Sequence, residues 1–187
     1  MKKTLSMLLA GAMLAAALTG CGSSASTGSD NADSSTDSSA SGAAFKLGGT
    51  GPLTGAAAIY GNACKNGAQI AVDEINAEGG DIQFELNYQD DEGDAEKAVN
   101  AYNTLKDWGL QVLAGPVTTT PSIAVAAETA NDNLFMMTPS ASAPAVIESG
   151  DNVFQICFTD PNQGVASADY IADNKLGTKV GVIYDSS

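Results

Sequence analysis

The sequence predicts an α/β fold with a parallel sheet, on two observations. From Phe45 to Tyr184, short apolar or alternating segments take turns with helix-patterned stretches. The strand-like segments also run into loops rich in Gly, Pro, Ser, Thr or Asp. Strands alternating with helices fold as right-handed βαβ units, with helices covering both faces of the sheet.

Phe45–Gly49 reads as the first strand and Thr50–Gly55 as its exit loop. A helix is expected from Ile59 to Glu78, with Ala63, Gly67, Ile70, Ala71 and Ile75 at three- and four-residue steps forming its apolar face. Gly79-Gly80 ends it. Ile82, Phe84, Leu86 and Tyr88 alternate with Gln83, Glu85 and Asn87, which predicts a second strand with one wetter face. Asp90–Asp94 is an acidic loop whose last residue is placed to cap a helix from Ala95 to about Asp107. Trp108 ends that helix as a packing residue.

Gln111–Ala114 is the third strand and Gly115–Thr120 its exit loop. Pro121 falls in the first turn of a helix running to about Asn131, where its missing N–H costs nothing. Leu134–Thr138 reads as a buried fourth strand, and Pro139–Pro144 as its exit loop. Val153–Phe158 is a fifth extended segment, Gln163–Asn174 a helix and Lys179–Tyr184 a sixth strand.

Parallel sheets bind ligands outside the carboxyl ends of their strands. Attention therefore goes to the four exit loops. Those after strands three and four carry Thr118, Thr119, Thr120, Ser140 and Ser142 and no cationic side chain. Hydroxyls beside the unpaired N–H groups of a helix start suit a small anion such as a carboxylate. Simple N-capping by one threonine is the alternative at Thr118–Thr120. Ser140-Ala141-Ser142 precedes Ala143-Pro144 with no long helix behind it, and its small residues let a ligand approach the backbone. Tyr60, beside Gly61 after the first exit loop, is either a cleft residue or a core aromatic.

Composition excludes several chemistries. The 187 residues hold 8 basic and 22 acidic side chains, for a formal charge of −14, and no histidine. All the basic residues are lysines. A nucleic-acid partner is not expected, because phosphate neutralisation needs clustered Lys/Arg. Histidine-dependent catalysis and histidine-based zinc sites are excluded, and no catalytic residue, metal or cofactor is expected. Gly49–Gly55 departs from the dinucleotide fingerprint by a late third glycine and an interrupting proline, and neither a P-loop nor a nucleophile elbow is present. The acidic loop lacks EF-hand spacing and reads as solvated carboxylates with a helix cap.

The N-terminus is patterned for export. Lys2-Lys3 precede an uncharged Ala/Leu/Met-rich run from Thr4 to Leu18, shorter than the roughly 20 apolar residues of a stable span. Leu18-Thr19-Gly20-Cys21 then forms a lipobox, predicting cleavage, acylation of Cys21 and a lipid anchor at the membrane. Residues 22–44 hold no large apolar side chain and are expected to form a flexible linker. Cys64 and Cys157 are expected as buried free thiols, with a disulfide between them as the alternative.

Thr50-Gly51-Pro52-Leu53-Thr54-Gly55, Tyr60-Gly61, Ala71–Gly80 and Tyr88-Gln89-Asp90-Asp91 resemble the start of the leucine/isoleucine/valine-binding proteins. These are type I periplasmic solute-binding proteins of ATP-driven (ABC) importers. Thr138–Pro144 and Asp160-Pro161-Asn162-Gln163-Gly164 continue the pattern in register. The resemblance implies a Rossmann-like lobe over residues 45–158 and the start of a second lobe over 159–187, with that lobe cut short. It implies Thr119 and Ser142 as hydroxyls for an α-carboxylate, Ser140 as a carbonyl for an α-ammonium, and Tyr60 as a wall of the side-chain pocket. Thr118 and Ala141 complete the expected ligand-binding set. The expected function is capture of a branched-chain amino acid and delivery to an importer's permease, without catalysis. A sensor for amides or amino acids is the alternative. Members with a first-lobe disulfide place cysteines where Gly93 and Thr118 stand here.

Overall fold

A computed structural model of the chain describes residues 44–184. The expected signal, the expected lipidation site at Cys21 and the expected linker up to residue 43 lie outside the described residues. The strands are β1 (Phe45–Gly51), β2 (Phe84–Asp90), β3 (Val112–Ala114), β4 (Met136–Thr138) and β5 (Val153–Gln155). The helices are α1 (Ala58–Ala77), α2 (Ala95–Trp108), α3 (Thr119–Asp132) and α4 (Asp160–Asp173), with a 3₁₀ turn at Pro144–Ile147. All strand pairs are parallel, in the order β2-β1-β3-β4-β5.

The core occupies one face of the sheet. Ala98, Tyr102 and Leu105 of α2 and Val125 and Ala126 of α3 close on Leu113, Met136 and Val153, with Val146 of the 3₁₀ turn beside them. Trp108 packs against this cluster, as its position at the end of α2 predicts. Local chemistry sets the ends of α2. Asp94 Oδ1 accepts the Lys97 N–H at 2.9 Å, and Gly109 turns the chain in the left-handed region. Lys46 Nζ donates to the Trp108 carbonyl at 2.6 Å and lies 5.0 Å from the Trp108 ring centre, a cation against the negative end of the helix.

The opposite face is covered only in part. Helix α1 lies over β1 and β2, and its buried residues are Gly61 and Val72. The predicted apolar face of Ala63, Gly67, Ile70, Ala71 and Ile75 stands exposed instead. Met136 and Val153 face the core, so strand alternation sends Met137 and Phe154 to the other side. There Phe135 stacks on Phe154 with ring centres 5.1 Å apart, both substantially exposed. Between α1 and this side of β3 and β4 lies a gap of about 220 Å³, lined by Cys64, Gly67, Ala68, Ala114 and Met137, so the apolar spacing of α1 is not packed against the sheet there. Cys64 and Cys157 remain free and half-buried, and burial pushes the Cys64 thiol up.

Three further sequence expectations need correction. Lys179–Tyr184 forms no strand: its apolar side chains are exposed, and no neighbouring strand is present among the described residues to complete a ladder. The fourth strand is shorter than expected and only partly buried, with Phe135 outside it. The acidic loop is not uniformly solvated, because Asp91 is fully buried.

Asp91 Oδ1 accepts the Gly93 N–H at 2.8 Å, while Oδ2 has no partner. Burial pushes its carboxyl above the ordinary value, and the Gly93 N–H and the nearby Thr50 hydroxyl offset part of the rise. Thr50 Oγ1 falls outside hydrogen-bond geometry and is itself unpartnered. A raised carboxyl binds its proton more tightly in the native chain than in the unfolded one. Stability therefore falls as pH rises from the ordinary value through the raised one, and the loss persists at neutral pH. Asp91→Asn removes the ionisation and is expected to raise the melting temperature at pH 7. That advantage should shrink as pH is lowered towards 4. Thermal unfolding of both proteins across this range checks it.

Candidate functional site

Strand order reverses between β1 and β3: from β1 the chain steps to β2 on one side, and later to β3 on the other. The loops leaving β1, β3 and β4 meet at this reversal. Gly115, at φ +134°, lets the β3 exit run against β1; a Cβ there would sit 2.5 Å from the Thr50 carbonyl oxygen.

The β1 exit is held by the acidic loop. Asp90 accepts the Leu53 N–H at 2.8 Å, the Thr54 hydroxyl at 2.6 Å and the Glu92 N–H at 2.9 Å. Burial works against its charge, but these bonds outweigh that and leave the Asp90 carboxyl below its ordinary value. The Asp91 N–H donates to the Gly51 carbonyl at 3.1 Å. Helix α1 starts immediately against this loop. Asn62 Nδ2 donates to the Leu53 carbonyl at 3.0 Å, and a Cβ on Gly61 would lie 2.0 Å from the Pro52 carbonyl oxygen. Tyr60 is thereby turned outward, 62% exposed.

The β3 exit supplies a helix start. Thr118 is the N-cap residue of α3, yet its side chain makes no capping bond, and Oγ1 is buried without a partner. The capping alternative thus does not apply to the Thr118 hydroxyl. The N–H groups of Thr119 and Thr120 have no acceptor within the helix, Pro121 has no N–H, and the Ser122 N–H donates to the Thr118 carbonyl at 3.0 Å.

The β4 exit supplies the facing wall. Ala141 is buried and Ser140 exposed. Ser142 is half-buried, and its carbonyl accepts the Asp160 N–H at 3.0 Å where α4 begins.

Tyr60, Val117, Thr118, Thr119, Ser140 and Ala141 together line an open pocket of about 320 Å³. Five of the six residues expected from sequence lie on it. Ser142 is not among its lining residues. Val117 was not singled out; its place between Pro116 and Thr118, inside the exit loop, was the available signal. No lysine or carboxylate lines the pocket, so charge on a ligand would meet only hydroxyls, N–H groups and the positive end of α3. A larger hollow of about 510 Å³ runs along α4 between Phe158 and Asp169. It is local to one exposed helix and gathers no residues from separate strands. Among the described residues, no group of three or more Cys, Asp or Glu side chains is arranged to hold a metal ion. The Asp90 carboxylate accepts N–H and O–H groups, and those donors would repel a cation.

A family model described as periplasmic binding protein matches residues 44–187. The Leu/Ile/Val-binding protein BraC3 of Rhizobium johnstonii is 38% identical over 137 residues, covering 72% of this chain and 37% of that protein. The substrate-binding protein LivJ of a branched-chain amino acid transporter from Streptococcus pneumoniae, solved in complex with isoleucine, superposes with a TM-score of 0.65. It is 29% identical, and the match covers 70% of this chain and 38% of that one. An ABC transporter substrate-binding protein from Desulfitobacterium hafniense, solved with Leu, matches at 25% identity and TM-score 0.62, over 71% of this chain and 39% of its own. The chain spans about two fifths of the length of the curated relatives it matches.

Gly61→Ala is expected to destabilise the chain by about 1–3 kcal/mol, because the rigid Pro52 carbonyl cannot yield to an added methyl group. Denaturant unfolding measures this. An unchanged midpoint would mean that the α1 start is not packed against the β1 exit.

Proposed function

The chain belongs to the periplasmic binding protein family, and on that premise we propose that it captures a branched-chain amino acid for an ABC importer. The observation that carries the reading is the pocket at the strand-order reversal. A carboxylate there accepts hydrogen bonds from the Thr119 region of α3, and an ammonium meets carbonyl oxygens of the Ser140 loop. Tyr60 flanks the aliphatic side chain. Binding and release require no bond chemistry, so the protein acts without being an enzyme. The Leu/Ile/Val-binding relatives and the isoleucine- and Leu-complexed structures support the ligand class.

The lipobox at Cys21 supports export and anchoring at the outer face of the membrane, with residues 22–44 as a leash. The partner is then the importer's permease, which takes the ligand from the receptor. A closed state favoured by its extra ligand contacts would be the form recognised.

Magnitudes set the affinity expected of these residues by themselves. Three hydrogen bonds to a charged group contribute about 1.5–3 kcal/mol each. Association costs at least about 4 kcal/mol. The remainder, at most about 5 kcal/mol, corresponds to a dissociation constant of about 0.2 mM or weaker. L-Leucine titrated into the ¹⁵N-labelled chain should shift the Thr119, Ser140 and Ala141 amides in the millimolar range, and 3-methylbutylamine, which lacks the carboxylate, should not. Equal responses to both compounds would remove the carboxylate from the mechanism, and micromolar affinity would overturn this accounting.

A further inference from the structure

We propose that Thr138 is a positioning residue for this pocket, its single hydroxyl setting the separation of the two loops that form the facing walls. Thr138 is the last residue of β4, fully buried, and contributes no surface to the pocket. Its Oγ1 donates to the Pro116 carbonyl at 2.7 Å and accepts the Ala141 N–H at 3.1 Å. Pro116 leads directly into Val117, Thr118 and Thr119 on one wall. Ala141 and its neighbour Ser140 form the other. One oxygen atom thus joins both walls.

The bonds around it leave little slack. Ser122 Oγ donates to the same Pro116 carbonyl at 2.9 Å, giving that oxygen two donors. From behind, the Ala141 carbonyl accepts Gln155 Nε2 and the Cys157 thiol, the latter at 3.2 Å. Ala141 is therefore held by its N–H from the sheet side and by its carbonyl from β5 and the segment after it. Thr138, Ser122 and Ala141 are all buried, so no wall can move without leaving a polar group unpaired and away from water. Groups that grip a small ligand must keep their spacing to within about 0.5 Å, and this knot lies where that spacing is set. Apolar residues fill the rest of Leu134–Met137, which made Thr138 a visible exception in the strand.

The effect on ligand binding rests on the amino-acid reading above, whereas the tether is tested without a ligand. Thr138→Val keeps the shape and removes the hydroxyl; Thr138→Ser keeps the hydroxyl. In the 187-residue chain, the valine variant is expected to weaken the L-leucine dissociation constant at least tenfold, with the serine variant within about threefold of the parent. A merely structural role would lower the melting temperature of the valine variant and leave the dissociation constant of its folded fraction unchanged, which overturns the proposal. So would a serine variant as weak as the valine one. Hydrogen exchange at the Ala141 amide gives the ligand-free readout: it should accelerate in Thr138→Val and not in Thr138→Ser, and equal rates refute the tether. Should the parent chain show no response to leucine, the ligand reading fails, and the Ala141 exchange rates alone decide the tether. If Thr138→Val does not fold, Gln155→Leu at the half-exposed brace decides: a severalfold loss of leucine affinity supports the positioning role, and an unchanged value overturns it.

Discussion

In this parallel sheet the chain changes its direction of travel once, between β1 and β3. Helices on either side of that point leave the sheet on opposite faces, so the loops diverge and a crevice opens between them. Every residue lining the candidate pocket belongs to a segment that begins at such an exit. Gly115 runs close against Thr50, joining the β3 exit to β1 just ahead of the Val117–Thr119 wall. The α3 start, the Tyr60 side chain and the Ser140 loop acquire their meaning from this arrangement.

The strong negative charge of the chain has a structural use at this end of the sheet. Asp90 accepts three donors and ties the β2 exit to the β1 exit. Asp94 caps α2. Asp91, next to them, is buried and incompletely paired, and its ionised form works against stability. Neighbouring carboxylates in one loop are thus driven in opposite directions by their surroundings: donors surround Asp90, and apolar burial dominates Asp91. Composition alone treats all four acidic residues of this loop alike.

The side of the sheet bearing α1 shows the converse case. Ile70, Ile75, Phe154 and Ile156 are apolar, regularly placed and exposed. Lys179–Tyr184 has strand-like composition and no strand. Local preference is satisfied in α1, which needs only its own backbone to form. It is not satisfied in the last segment, because a strand exists only through its neighbour's N–H and C=O groups.

The alternation of elements, the α2 cap at Asp94, the stop at Gly79 and the hydroxyl-rich exits were all legible in the sequence, because each depends on residues close together in the chain. Tyr60, Thr118, Thr119, Ser140 and Ala141 could be singled out by that same local logic and by family resemblance. Their meeting on one pocket could not be read off, nor could the burial of Asp91, the missing cap at Thr118 or the joining of Pro116 to Ala141 through Thr138. These depend on contacts between segments distant in the chain, whose distances are set by strand order and packing. Periodicity reports which way a side chain faces along its own element, and only the assembled sheet determines what stands opposite.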